Sequence, residues 1–446
     1  MSLSPLAVHA ADPAGADATA PEATPARPRQ ALSLSQAQER ALRYQPSLRQ
    51  ARGQTDAAAG RTEQARAGYL PQAALTGSYQ RTTGNFALRP GSTPNMSSSR
   101  ATTTSGWSST TYNFLSFGLN ASQLIYDFGQ TDGRWLAAAA SRDAARAGEL
   151  TAEQQALLAV RRAYFLVRAD GDLIGVARDT LANQERHLNQ IQAFVRAGIR
   201  PEIDLAQART AVANARVQLV TATNDDAVAR AQLNQTMGNF ENVDYDLADA
   251  GLAPVAGEQG PLDAMVGSAL ATRPELETIR RQRRAQELTV AALRGAFGPA
   301  LGAAAGATEA GQDFGHLVPN WFLGLTLNWP FLQGGLTRGQ IHEGEGVLAT
   351  LAAQEDSLRL TVRVDVEQGQ LAVRGAKATI AAAQEALASA RDQLRLAEAR
   401  YANGLGSVIE LGDAQVAFSA AAAQDVQARF NLSSARAQLM AALGVR

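Results

Sequence analysis

The chain has 446 residues, no cysteine, a formal net charge of -1 and only 6% aromatic residues. Without cysteine it has no disulfide, no Cys-ligated zinc site and no thiol nucleophile. The near-neutral charge gives no reason to expect nucleic acid as a partner. Ala, Gln, Arg and Glu are abundant, which favours long helices and coiled coils over one large globular core. The four histidines are His9, His187, His316 and His342. They show no metal-ligand spacing, so we expect no metal and no other cofactor.

Residues 1–31 are predicted to be a signal remnant followed by a flexible segment. Leu6-Ala7-Val8-His9-Ala10 resembles the end of a secretory signal, since small residues stand before a cleavage point, although an ordinary flexible N-terminus is the alternative. Residues 11–30 are rich in Ala, Pro, Thr and Asp, as disordered segments are. No run of 18 apolar residues occurs, so the sequence predicts no transmembrane helix and leaves two classes, a soluble protein or a transmembrane β-barrel.

The chain contains an internal repeat, with two copies of one sequence pattern. Gln45-Pro46-Ser47-Leu48 aligns with Arg273-Pro274-Glu275-Leu276 at a shift of 228, and from about residue 117 onward the shift is 206. The lost 22 positions (228 minus 206) fall between Pro71 and Gly118, where the first repeat is predicted to carry a long polar surface loop. We therefore divide the chain into a first repeat over 32–238, an equatorial linker over 239–261 and a second repeat over 262–446.

Each repeat predicts the same elements in the same order. The first has a helix at about 33–68, strands at about 73–81 and 112–126, a long helix at about 131–197 and a return helix at about 201–237. The second has a helix at about 262–296, strands at about 300–308 and 320–331, a long helix at about 337–403 and a return helix at about 407–443. At 1.5 Å per residue each long helix spans roughly 100 Å, which no ordinary globular domain does.

The long helices carry apolar residues at heptad spacing. The first set is Ile174, Leu181, Leu188 and Val195, and its copy is Ile380, Leu387, Leu394 and Tyr401. A seven-residue apolar repeat requires a supercoiled partner. The tight turns at Gly198 and Gly404 make each long helix and its return helix antiparallel neighbours. The helices alone fit a soluble antiparallel coiled coil equally well.

The strands favour a membrane protein. One face of the last strand is wholly apolar, and its members are Trp321, Leu323, Leu325, Leu327, Trp329 and Phe331. Strands of about ten residues with one apolar face and aromatic ends are typical of transmembrane β-strands, while a small soluble sheet is the alternative. Four strands cannot close a barrel, and an open edge in lipid is costly. Several chains must therefore contribute, eight strands coming from two chains and twelve from three.

With these features the chain resembles the TolC family of outer-membrane factors over about residues 32–444. The local motifs that carry the resemblance are Tyr44-Gln45-Pro46-Ser47-Leu48, Tyr69-Leu70-Pro71, Tyr126-Asp127-Phe128-Gly129 and Tyr401-Ala402-Asn403-Gly404. The resemblance implies a mostly α fold with β strands that assembles as a homotrimer. A twelve-stranded transmembrane β-barrel, four strands per chain, would stand in the outer membrane above a twelve-helix periplasmic coiled-coil tunnel. Residues 238–261 and the N-terminal segment would form an equatorial layer.

The resemblance also implies a function without catalysis. The chain would be the outer-membrane exit duct of a tripartite export system, with a periplasmic adaptor, an inner-membrane ABC or RND transporter and outer-membrane lipid as its partners. Type I secretion of a protein toxin is the first expectation, because many efflux members carry a lipid-anchored cysteine and this sequence has none. Multidrug efflux is the alternative, and a soluble periplasmic coiled-coil scaffold is a third candidate from another class.

Glu410 and Asp413 match the carboxylates that line the closed lower end of the tunnel in this family. They are three residues apart and so share one helix face. Three copies would place six negative charges around a narrow mouth, which favours cations. The alternative is helix capping, since Ser407 and Glu410 form a capping-box pattern and Asp413 lies close to the positive end of the helix.

The remaining site residues surround the two turns. Tyr401 matches a tyrosine that helps to lock the closed state, although it also continues a heptad seam. The best-known family member has an arginine where this chain has Gly406, and Arg200 stands at the paired place in the first repeat. We expect the closed-state lock and the adaptor-docking turns to involve Tyr401, Gly404, Gly198, Arg200 and Asp204.

Overall fold

The computed structural model describes residues 30–83, 111–241, 243–249 and 251–445. The predicted signal remnant and most of the predicted polar loop of the first repeat lie outside the described residues. None of the helices in the described part of the chain combines the length and the hydrophobicity that crossing a bilayer requires.

The two repeats fold into matching series of elements. The first series is β1 (Gln30–Leu32), α1 (Leu34–Tyr44), α2 (Pro46–Arg66), β2 (Gln72–Thr83), β3 (Thr111–Tyr126), α3 (Gln130–Arg196) and α4 (Glu202–Met237). The linker contains β4 (Tyr245–Leu247), which pairs in parallel with β1. The second series is α5 (Leu262–Thr272), α6 (Pro274–Gly295), β5 (Ala300–Gly311), β6 (Val318–Asn328), α7 (Leu336–Ala402) and α8 (Val408–Ala442).

Three observed helix or strand boundaries differ from the predicted ones, and each lies next to a proline. The single helices predicted at 33–68 and 262–296 are each two helices, because the residue before Pro46 or Pro274 is extended, with ψ 123° at Gln45 and at Arg273. A proline ring clashes with a helical conformation of the residue before it and lacks the N–H that continues a helix. The strand predicted at 320–331 ends at Asn328, so its expected aromatic end lies beyond the strand, next to Pro330.

The four longer strands form one antiparallel sheet in the order β2-β3-β5-β6. Strand β3 pairs with β5, so the two repeats join at the middle of the sheet, and β2 and β6 are its edges. The register aligns Leu75 with Leu119, Leu119 with Ala307 and Ala307 with Trp321, which makes one face apolar from edge to edge. The apolar side chains of β6 on this face are 66–77% exposed: Trp321, Leu323, Leu325 and Leu327.

The helices bury their apolar residues in three separate clusters along their length. One includes Val160, Tyr164, Leu233 and Met237 beside β1 and β4. A second joins α5, α6, α7 and α8 through residues such as Leu276, Val366 and Leu439, and a third lies near the turns, around Ile191 and Leu411. Each buried aliphatic side chain contributes roughly 1.5–3 kcal/mol of hydrophobic stabilisation. The coiled coil is therefore held by a succession of small cores instead of one large core.

Helices α3 and α6 approach each other closely at Gly133, and this contact makes a testable prediction. A Cβ atom at Gly133 would lie 2.7 Å from the Cβ of Ala292 and 3.0 Å from its Cα. We expect G133A to lower the free energy of unfolding by about 1–3 kcal/mol, because the two backbones must separate. The matched control is G175A in the same helix, where a Cβ meets nothing within 4 Å. It should raise stability by about 0.5–1 kcal/mol through helix propensity. Guanidinium unfolding followed by helical circular dichroism measures both, and equal effects would contradict the close approach.

Candidate functional site at the helix turns

Both long helices end in the same glycine turn. Gly198 and Gly404 have φ of +71° and +73°, a conformation that glycine adopts without strain. The N–H of Ile199 donates to the carbonyl of Phe194 at 2.9 Å, and the N–H of Leu405 donates to the carbonyl of Arg400 at 2.9 Å. This is the Schellman arrangement, which satisfies the last carbonyls of a helix and reverses the chain. The two turns are therefore equivalent in backbone.

The two turns touch each other through Arg200. Its Nη2 donates to the carbonyl of Gly406 at 3.4 Å, and its guanidinium lies 5.0 Å from the centre of the Tyr401 ring. A cation over an aromatic face at this distance is attracted by the ring. Arg200 thus contacts the backbone of Gly406, the residue that stands at its own position in the second repeat.

Tyr401 is buried where the helices converge above the turns. Its ring packs edge-on against His187 at 5.1 Å and tilts against Phe194 at 6.4 Å. Its hydroxyl makes no hydrogen bond to any described residue. Burial raises the pKa of Tyr401, an effect that Arg200 opposes and Asp204 adds to. The residue belongs to the apolar seam and also contacts the arginine that links the turns, so both roles predicted for it stay compatible.

Glu410 and Asp413 are both exposed on α8. The N–H of Glu410 donates to Oγ of Ser407 at 3.0 Å, which caps the helix. The capping box is only half formed, because the Glu410 carboxylate pairs instead with Nε of Arg400 at 2.9 Å. Asp413 has no ion pair or hydrogen bond within the described residues. The prediction of a complete capping box was wrong, and the pore ring stays a prediction.

Asp204 differs from its repeat partner Glu410. It is 6% exposed, whereas Glu410 is on the surface, so the first turn presents no matching carboxylate. His187 and Arg400 also belong to this site, although neither was predicted from the sequence as a site residue. Burial lowers the pKa of His187, which favours its neutral form against Tyr401. Arg400 and Glu410 are each five residues from Leu405, so they lie at the same level of the antiparallel hairpin, where a basic and an acidic side chain can pair. That spacing was the available signal for the pair.

The tips of both turns carry exposed apolar side chains. Ile199 and Leu405 lie at the reversals, and Ile203 and Ile409 lie in the first turns of the return helices. These four residues, which we call the apolar tip, occupy positions related by the 206-residue shift. Exposed aliphatic groups in a cluster are typical of a surface that another protein covers.

Known proteins share this fold and sequence pattern. A toluene efflux pump outer membrane protein of Pseudomonas putida, TtgF, is 30% identical over 298 residues, which are 65% of this chain and 61% of TtgF. The outer membrane efflux protein BepC of Brucella suis is 26% identical over 278 residues, which are 61% of this chain and 60% of BepC. The matched region thus spans about three fifths of these curated relatives.

Solved structures confirm the predicted fold class. The CmeC outer membrane channel of Campylobacter jejuni superposes with a TM-score of 0.80 at 17% identity, and the match covers 92% of this chain and 85% of CmeC. The sequence profile of a family described as outer membrane efflux protein matches residues 37–239 and 265–445. The family and these relatives are outer-membrane channels and efflux proteins and not enzymes, as predicted. Because the profile covers both repeats and well over half of the sequence, the chain belongs to the outer membrane efflux protein family, which confirms the predicted family and its outer-membrane location.

Proposed function

We propose that three copies of this chain form the outer-membrane exit duct of a tripartite export system. The observation that carries the proposal is the β2-β3-β5-β6 sheet, set at the end of two 67-residue helices. One apolar face of the sheet is exposed, and its two edges pair with no other strand among the described residues. Unpaired edge groups cost several kcal/mol each in hydrocarbon, so the edges β2 and β6 require strands from other chains. Three sheets give twelve strands, enough for a wall around a pore.

The partners follow from the opposite end of the helices. The apolar tip is exposed in the single chain and stands where the long helices reverse, about 100 Å from the sheet by helix length. We assign it as the docking surface for a periplasmic adaptor, through which an inner-membrane ABC or RND transporter would deliver substrate. Apolar side chains at such a contact lose their water on binding, which drives association.

The substrates we propose are small hydrophobic molecules. The relatives TtgF and BepC are named efflux proteins, and the name of TtgF specifies toluene. Type I secretion of a protein toxin, expected from the absence of cysteine, stays a prediction. Deleting the gene tests both: we expect greater sensitivity to hydrophobic solvents and antibiotics with an unchanged set of secreted proteins, and restoration by the wild-type gene. Loss of one secreted protein with unchanged sensitivity would overturn efflux and favour secretion.

Fractionation distinguishes the duct from a soluble coiled-coil scaffold. We expect the protein in the outer-membrane fraction as a trimer that dissociates to monomer on heating in detergent. Recovery of all the protein in a salt-washed soluble fraction would end the duct proposal.

The pore ring makes a separate prediction. Replacing Glu410 and Asp413 together with alanine should lower the preference for cations of the trimer in planar bilayers, because six carboxylates leave the mouth. The reversal potential under a KCl gradient measures it. The single-residue control is E398A, which removes an exposed carboxylate from α7 above the turn. Unchanged selectivity in the double variant would assign Glu410 and Asp413 a purely structural role at the start of α8.

A further inference from the structure

The second turn contains an ionic clasp that the first turn lacks. Arg400, near the end of α7, pairs through Nε with Glu410 in the first turn of α8 at 2.9 Å, and its Nη2 donates to the carbonyl of Leu405 at 3.4 Å. The backbone carbonyl of Arg400 accepts the N–H groups of Leu405 and Gly406 at 2.9 and 3.0 Å. The arginine is therefore attached to the turn at both its backbone and its side chain.

The described residues of the first turn form no equivalent charge pair. The position related to Arg400 by the 206-residue shift is Phe194, which packs against Tyr401, and the position related to Glu410 is the buried Asp204. Arg200, the arginine of the first turn, directs its guanidinium to the Tyr401 ring and the Gly406 carbonyl. The clasp is thus specific to the second turn, the turn that bears both candidate pore carboxylates.

The clasp changes the charge that these carboxylates present. At distances well beyond the length of the pair, a guanidinium 2.9 Å from one oxygen of Glu410 offsets its negative charge. Asp413, one helical turn further along α8, has no such partner within the described residues. The sum over the three side chains is -1 per chain, where the two carboxylates alone would give -2.

We propose that Arg400 is a selectivity-determining residue of the pore mouth, which offsets Glu410 and leaves Asp413 as the uncompensated negative charge. This inference rests on the proposed function, because it needs the second turns of several chains to surround one channel. It makes the mouth less cation-selective than its carboxylates alone would predict. It also makes the contributions of Arg400 and Glu410 cancel each other.

The test is a set of variants measured as trimers in planar bilayers at about 0.1 M salt, where the Debye length is about 10 Å and charge still acts across a mouth. We expect R400Q to raise the ratio of K+ to Cl- permeability at least about twofold, since three positive charges are removed. E410Q and D413N should each lower the ratio. The decisive variant is R400Q with E410Q, which removes both members of the pair and should return the ratio to the wild-type value.

Control variants distinguish a failure of this inference from a failure of the proposed duct function. R395Q removes another exposed arginine of α7, which pairs weakly with Asp392 at 3.6 Å, and should leave the ratio unchanged. If E410Q and D413N lower the ratio but R400Q does not raise it, the clasp has only a structural role and the inference is wrong. If no variant changes the ratio, the turns do not form the mouth and the proposed pore ring fails as well. Trimer yield on gels reports whether each variant assembles.

Discussion

Replacing Leu325 with arginine is expected to remove the protein from the outer-membrane fraction almost completely. Leu325 lies in β6, two residues past the midpoint of the strand, and is 73% exposed on the apolar face of the sheet. An arginine on the lipid face near the middle of a bilayer costs about 2–4 kcal/mol, and a trimer would carry that cost three times. The exposed face is favourable only if hydrocarbon covers it, so this one change reports directly on what the sheet contacts.

The neighbouring residue provides a matched control for Leu325. Successive side chains of a strand point to opposite faces, so Thr326 lies at nearly the same depth on the other face. That face carries Thr76 and Thr308, which both pair with Gly118, and Asn120 two residues further along β3, and it is the one we assign to the lumen. T326R should therefore assemble and insert normally. Equal loss of both variants would show general intolerance of β6 to arginine, and normal insertion of L325R would contradict a lipid-facing sheet.

The overall fold was predictable because its signals are local and repeated. Period two in the strands, period seven in the helices and glycine at the turns each depend on neighbouring residues, and the duplication of the pattern tests every assignment twice. The broken first helices of each repeat show the limit of this reasoning. Pro46 and Pro274 were visible, but the helical pattern on either side of each was continuous enough to hide the break.

The site was less predictable than the fold because it depends on how each helix is rotated. The internal repeat aligns Asp204 with Glu410, yet one is buried and the other is exposed. Their neighbours differ, with Phe194 in one turn where Arg400 stands in the other, so equal backbones present different surfaces. Sequence spacing locates a residue along a helix, but the packing of the adjacent helices determines which groups it meets.

Replacing Glu258 with glutamine should lower the free energy of unfolding by about 3 kcal/mol, the cost of breaking a buried ion pair on one side. Glu258 lies in the linker between the repeats. Its carboxylate accepts hydrogen bonds from Nζ of Lys377 in α7 at 2.6 Å and from Nε of Arg436 in α8 at 3.2 Å. Arg436 also donates to the carbonyl of Leu252 at 2.7 Å, and its side chain is only 12% exposed. Glutamine keeps the size of the side chain but leaves the arginine buried without its counterion.

An exposed pair on α6 is the matched control for this variant. Glu277 and Arg281 are four residues apart, with 43% and 49% of their side chains exposed. Surface pairs of this kind contribute only about 0.3–0.5 kcal/mol, so E277Q should change stability little. Guanidinium unfolding at one fixed protein concentration compares the two, since the stability of an oligomer depends on concentration. Similar effects of E258Q and E277Q would mean that the linker is not fastened through Glu258.

The pH dependence of the same variant separates lost charge from lost packing. Burial alone would raise the pKa of Glu258, but the hydrogen bonds from Lys377 and Arg436 outweigh it and hold the pKa below its ordinary value of 4.5. A carboxylate with a depressed pKa stabilises the fold above its unfolded pKa, and this contribution is lost as the pH falls through the folded value. The difference between wild type and E258Q should therefore be largest near pH 7 and shrink below pH 4.5. A difference that stays constant down to pH 3 would assign the effect to packing, because a contribution from the charge must weaken once the unfolded glutamate takes up protons below pH 4.5.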